Sequence, residues 1–196
     1  MNSLGKTDLI SPAQFLKEEL ESPVKREYLG GIVYAMSGAN NRHNRIATSA
    51  LVTLANSLRG RRCEAFNSDT KVRIQLPTHV RFYYPDAMVV CQPNPEGDAY
   101  QDNPAVIIEV LSQRTRRTDE GEKREAYLAI PSLKAYLLIE QDSPTVVAFR
   151  RDDQGFVRQV YEGLSATIKL AELDLELPFT ELYERVQFGP EIDDLV

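Results

Sequence analysis

Glu109 is the residue that most demands a chemical explanation, because it stands inside Ala105 to Leu111, an otherwise continuous apolar run. Such a run suits a central strand buried on both faces, where an unpaired ionised carboxylate costs many times what a typical contact contributes. Two kinds of group could compensate it. A divalent cation would, since hard cations take oxygen ligands from carboxylates and main-chain carbonyls. A buried arginine or lysine would do so as well. Asp86 sharpens the choice: it follows Pro85 at the entry to the apolar segment Ala87 to Cys91, one strand-length before Glu109. Pro-Asp alone is a common loop dipeptide, but on neighbouring strands the two carboxylates could share a cation and support hydrolytic chemistry.

The surrounding pattern supplies elements to hold them. Ser11 and Pro12 open a short helix to Leu20 with Phe15, Leu16 and Leu20 on one face, and Pro23 ends it. Tyr28 to Met36 reads as a strand interrupted at Gly30 and Gly31, where the two glycines suggest a hairpin turn or a sharp bend. Ile46, Ala50, Leu51, Leu54 and Leu58 recur at helical spacing over Asn41 to Leu58, with Gly60 as the stop. Cys63 to Phe66, Lys71 to Leu76 and Ala87 to Cys91, separated by turn residues such as Pro77 and Pro85, predict a meander of adjacent strands. After the Glu109 strand come a helix over Asp119 to Ile130 and strands over Leu133 to Glu140, Val146 to Arg150 and Phe156 to Tyr161. The tail from Ala166 predicts one more strand and a short helix over Phe179 to Val186. Without repeats or linkers, the pattern predicts one α/β domain over residues 1–196.

Composition is globular, with 42% hydrophobic and 27% charged residues. The net charge of -6 argues against a protein that coats nucleic acid nonspecifically, since such binding rests on neutralising phosphates. It does not exclude a metal enzyme, whose site carboxylates themselves add negative charge. Arg114, Arg116 and Arg117 follow the Glu109 strand closely, as a basic cluster where a nucleic-acid backbone could approach or as a solvated loop. Tyr83 and Tyr84 could stack on bases or pack in a strand. Cys63 and Cys91 lack C-x-x-C spacing and read as packing thiols. The start, M-N-S-L-G-K-T-D-L-I, has no apolar leader core, and no stretch approaches the ~20 apolar residues of a membrane span. The expected setting is cytoplasmic, with no membrane partner.

Several of these segments together resemble one family. The run R-E-Y-L-G-G-I-V-Y-A-M-S-G-A from Arg26, His43 at a helix start, Y-P-D from Tyr84, E-V-L-S from Glu109, and D-x-x-x-K-x-x-x-Y from Asp119 to Tyr127 are similar to the Uma-two (Uma2) family. Its restriction-endonuclease-like proteins belong to the wider PD-(D/E)XK nuclease group, and the resemblance covers nearly the whole chain. It implies a mixed β-sheet flanked by helices, with an N-terminal helix and hairpin. It also implies Mg2+, replaceable by Mn2+, held by Asp86, Glu109 and the carbonyl of Val110. The expected substrate is DNA, or RNA on the same residues, and the expected assembly is a homodimer.

One position departs from the general motif, in which a lysine stands two residues after the acid; here that position is Leu111. The family pattern supplies the lysine from the next helix, as Lys123. Asp119, Lys123 and Tyr127 stand at i, i+4 and i+8 and share one side of that helix. Asp119 and Glu122 could instead form a capping box, with Lys123 an exposed helix former. Glu27 matches the family's E-Y pattern as a third acid near the metal, and His43 is placed to contact a phosphate; each could equally be an ordinary strand-entry or helix-start residue. Gly30 stands where the family often has an acid, so no role passes to it. The alternative to a nuclease is a noncatalytic nucleic-acid-binding or interaction module that keeps the fold, a reading that Leu111 motivates.

Overall fold

The structure is a computed structural model that describes residues 9–36 and 38–189. Most of the N-terminal decapeptide, and Ser37 within the run from Arg26, lie outside the described residues. Helix α1 (Pro12–Glu19) begins where Ser11 accepts a hydrogen bond from the Gln14 amide and Pro12 occupies the first turn. Strands β1 (Arg26–Leu29) and β2 (Ile32–Ala35) form the predicted hairpin. Its two loop residues, Gly30 and Gly31, have φ of 57° and 109°, which side chains resist.

The strands divide between two main sheets. The first has the order β2-β1-β5-β4-β7, adding β4 (Lys71–Gln75), β5 (Val80–Tyr83) and β7 (Tyr100–Gln101) to the hairpin. The second has the order β11-β10-β9-β8-β6-β3. It is built from β3 (Glu64–Asn67), β6 (Ala87–Val90), β8 (Pro104–Leu111), β9 (Ala135–Glu140), β10 (Thr145–Asp152) and β11 (Gly155–Glu162). The predicted meander is therefore wrong: β4 sits in the first sheet and β3 and β6 in the second. Alternation reveals which residues share a face, but not which strand lies alongside. Within the second sheet β8 and β9 are parallel neighbours. Their crossover is helical: α3 (Arg116–Thr118), a π-helical turn over Asp119–Lys123, then α4 (Arg124–Leu128).

On one face of the second sheet, α2 (Asn41–Ser57) packs Ile46, Ala50 and Leu54 against Val89, Val106 and Ile108. Removing the Leu54 side chain would cost about 2–5 kcal/mol by the usual behaviour of buried leucines. The tail contributes an additional strand to this layer, as β12 (Thr167–Leu170) and β13 (Leu175–Pro178) pair ahead of α5 (Phe179–Leu182). On the other face lie Tyr127 and Ala126 of α4 and Val72, Ile74 and Tyr83 of the first sheet. Phe15, Tyr28 and Phe82 form a separate core beneath α1.

The cysteines correct a second expectation. Cys63 and Cys91 form a disulfide. The antiparallel register pairs Glu64 with Val90, so the next residues outward, Cys63 and Cys91, face each other across β3 and β6. Their 28-residue separation hides this in the sequence. Among the described residues, no helix is long and apolar enough to cross a membrane.

Candidate active site

The site forms where β6 begins and β8 ends. Glu109 lies in phase with Ile107 and Leu111 on the β8 face that meets α4 and the first sheet. The β6–β8 register pairs Ala87 with Ile108, and one further step sets Asp86 opposite Glu109. Directly opposed residues in an antiparallel pair have Cβ atoms about 4.5–5.5 Å apart. Asp86 and Glu109 line one cleft of about 1520 Å³, together with Val110, His43, Asp119 and Lys123.

Asp86 Oδ2 accepts a hydrogen bond from the Val110 amide at 2.7 Å and lies 3.2 Å from His43 Nε2. His43 enters from the first turn of α2, where its amide is capped by Asn40 Oδ1 at 2.8 Å. Burial alone would lower the imidazole pKa, but hydrogen bonding and charge from Asp86 outweigh it and raise the value above that of ordinary histidine.

Glu109 is buried and accepts hydrogen bonds on Oε1 from Tyr127 OH at 2.9 Å and Lys123 Nζ at 3.3 Å. The same ammonium lies 2.9 Å from Glu27 Oε1 and 3.4 Å from Asp119 Oδ1. Lys123 is thus not exposed, and Asp119 and Glu122 form no capping box: Asp119 is buried inside the helix and Glu122 Oε1 accepts from the Tyr83 hydroxyl. Burial disfavours the ammonium, but Glu109, Glu27 and Asp119 more than compensate, so Lys123 stays charged with its pKa well above the usual lysine value. Burial holds the Glu109 carboxyl well above the ordinary range; Lys123 opposes the shift, while Asp119, Asp86 and Glu27 reinforce it. Asp119 is raised too, chiefly by burial. Burial likewise keeps the Tyr127 hydroxyl protonated and able to donate.

The other sequence candidates separate. Arg116 is not a free nucleic-acid contact: its guanidinium makes two hydrogen bonds to Glu140, at 2.6 and 2.5 Å, and reaches Glu120 at 3.1 Å. Arg114 lines the cleft and is exposed, and Arg117 is exposed outside its lining. Tyr83 and Tyr84 are buried and donate to Glu122 Oε1 and Glu19 Oε1, so they pack instead of offering stacking faces. Two polar residues escaped the sequence reading. Lys71 is buried against the Tyr84 hydroxyl at 3.2 Å. Gln141 is buried in the cleft wall just past β9. The signal for Gln141 was its position after the apolar strand that runs parallel to β8, since open α/β sheets bind ligands beyond the carboxyl ends of their strands.

The donor set suits a hard cation. Four carboxyl groups, those of Glu27, Asp86, Glu109 and Asp119, gather here around a single Lys123 ammonium, with His43 beside Asp86. Among the described residues no three His, Cys, Asp or Glu side chains form a ready-made metal cage. Mg2+ does not require one, since it is usually held by one or two carboxylates and retains several waters. Asp86, Glu109 and the Val110 carbonyl are the oxygen ligands that would hold it.

A mixed α/β fold with helices flanking its main sheet, and paired carboxylates at the adjoining ends of two inner strands, is of the restriction-endonuclease-like kind. The fold matches the crystal structure of a putative nuclease belonging to DUF820 from Anabaena variabilis, with a TM-score of 0.66 at 19% identity over 86% of this chain and 96% of that one. The Uma2 family, described as putative restriction endonuclease, matches residues 12–180, and the chain belongs to it. Two Synechocystis relatives are named as uncharacterised proteins. With slr1290 it shares 29% identity, covering 91% of this chain and 94% of the relative; with sll1609 it shares 31%, covering 72% and 80%.

Proposed function

We propose that the chain is a Mg2+-dependent endonuclease that hydrolyses phosphodiester bonds in DNA. The observation that carries this reading is the pairing of Asp86 and Glu109 at the adjoining ends of β6 and β8, with Glu27 and Asp119 gathered around the same Lys123 ammonium. Asp86, Glu109 and the Val110 carbonyl would hold a divalent cation, which would supply polarisation of the scissile phosphate and a more acidic attacking water. Tyr127 and the Val110 amide hold the two carboxylates in place through Glu109 Oε1 and Asp86 Oδ2. Lys123, kept charged, serves as an electrostatic donor to the developing phosphoryl charge and not as a general base. Arg114 and Arg117 steer the backbone to the cleft. The product carries a 5′-phosphate, and a homodimer in the cytoplasm would serve two strands with two sites. The disulfide is unusual for that compartment.

One observation favours the noncatalytic alternative: Glu109 Oε1 is already engaged by Lys123 and Tyr127. Incubation with plasmid DNA, linear DNA and RNA in Mg2+ or Mn2+ separates the two. Cleavage lost in Asp86→Asn and Glu109→Gln supports the enzyme. Intact substrates in every metal support a binding module.

A further inference from the structure

The outermost strand of the second sheet is bare along its free edge. β11 ends the order β11-β10-β9-β8-β6-β3, and among the described residues no strand pairs with its outer side. It runs for eight residues in unbroken register with β10, and it contains neither lysine nor proline. Sheet edges are usually guarded by short strands, bulges, lysine or proline. The other outer strands of the two main sheets follow that rule, since β2 and β3 have four residues each and β7 has two. β11 is also open on both faces: Val157 on one and Val160 on the other are 45% and 44% exposed. The direction of its free backbone groups follows from β10. There the Arg151 amide donates to the Lys134 carbonyl at 2.8 Å, on the β9 side, so the Arg151–Phe156 pair is not hydrogen-bonded. By alternation, the N–H and C=O groups of Phe156, Arg158, Val160 and Glu162 all face outward from the sheet edge.

We propose that β11 is a self-association surface, on which a second copy of this chain pairs antiparallel about a two-fold axis at Val160. A two-fold axis requires the same surface on both copies, and strand pairing requires outward-facing residues to oppose one another. Charge then selects the register. Near the middle of the strand, an axis at Arg158 opposes like charges, and an axis at Gln159 or Tyr161 sets Arg158 or Glu162, respectively, against Val160. The axis at Val160 sets that valine against its own copy and Arg158 against Glu162 on each side, so opposite charges meet twice. Each of these pairs exchanges both main-chain hydrogen bonds, and the two second sheets become one continuous sheet. An edge pairing is a small interface, which places its association in the micromolar range. It gives the proposed homodimer its surface and holds whether or not the chain cleaves DNA.

The test is sedimentation equilibrium on the full chain, with circular dichroism as the check on folding. Wild type should dimerise at micromolar concentration. Arg158→Glu alone, or Glu162→Arg alone, should weaken the dimer about tenfold, because each turns two opposite-charge pairs into two like-charge pairs. The two exchanges together should return it to within about threefold of wild type, since they restore the opposition with the signs reversed. Both side chains are exposed, so these variants keep the fold. Val160→Pro should abolish the dimer, as it removes an outward N–H that the monomer does not use. A wild-type chain that stays monomeric to about 1 mM overturns the interface. So does a dimer that a folded Val160→Pro variant leaves intact, or a loss in the single exchanges that the double exchange fails to restore. If Val160→Pro does not fold, the charge exchanges decide the matter. DNA cleavage by the same samples keeps the two readings apart. A dimer through β11 without cleavage leaves this surface standing and counts against the nuclease, and cleavage by a chain that is monomeric at every concentration does the reverse.

Discussion

Lys123→Met isolates the charge balance of the site. Methionine keeps most of the length and volume of lysine but removes the ammonium that lies within 3.4 Å of Glu27, Glu109 and Asp119. The lysine side chain is only 7% exposed, so solvent screens these contacts weakly. Removing one partner of a buried ion pair typically costs about 3–5 kcal/mol, since it leaves uncompensated charge. For a chain of this size each kcal/mol moves the melting temperature by about 2–4 °C, so the variant should melt roughly 6–20 °C below wild type at neutral pH. Circular dichroism melts at several pH values test this. The deficit should shrink as pH falls, because protonation neutralises the acids left behind. Mg2+ or Mn2+ should restore part of the loss if a cation is held by Asp86 and Glu109. A melting temperature equal to wild type across the pH range would refute the claim that this ammonium balances ionised acids. The same variant should lose about two to three orders of magnitude in cleavage rate, as for loss of one transition-state donor.

Glu109→Gln should abolish Mg2+-dependent cleavage in a gel assay while keeping the fold, and its melting temperature relative to wild type should rise with pH. The sign follows from the raised carboxyl pKa: the neutral acid is tolerated at low pH, and that contribution is lost as pH climbs through the folded-state value. A pH-independent difference would count against it. Arg114→Ala and Arg117→Ala should each reduce the salt dependence of DNA binding by about one counterion. Arg116→Ala should leave that slope unchanged, because Glu140 already holds its guanidinium. Reducing the Cys63–Cys91 disulfide should lower stability by about 3.5 kcal/mol for a loop of this length, read as a lower melting temperature in reductant.

What could be read in advance was whatever a residue must solve locally. Glu109 announced itself because no carboxylate sits freely in an apolar strand, and the structure contains the buried lysine that answers it. The α2 face and the Gly30–Gly31 hairpin were equally visible, as both are dictated by residues within a few positions. Pairing between distant segments was not. Pro85 lies between Tyr83 in one sheet and Ala87 in the other, and no periodicity marks that switch. The disulfide was missed for the same reason. So was Gln141, which lines the same cleft as the α2 N-terminus about a hundred residues away in sequence.

The placement of Lys123 follows from a detail that spacing alone does not contain. In a regular α-helix each residue turns about 100°, so eight residues from Asp119 to Tyr127 overshoot two full turns by about 80°. Asp119, Lys123 and Tyr127 would then fan across the helix face, with the outer two poorly aimed at one pocket. The π-helical turn over Asp119–Lys123 rotates less per residue and removes much of that drift. All three residues are consequently buried together, two of them bonded to Glu109 Oε1. Such turns give up regular α-helical geometry, and they cluster at functional sites. If the lysine were only a core ion-pair partner, a regular helix with different side chains could fill the space with less charge and no local distortion. The distortion instead gathers an ammonium, a phenol and several carboxyl groups at the end of β8, where the proposed cation and phosphate would sit.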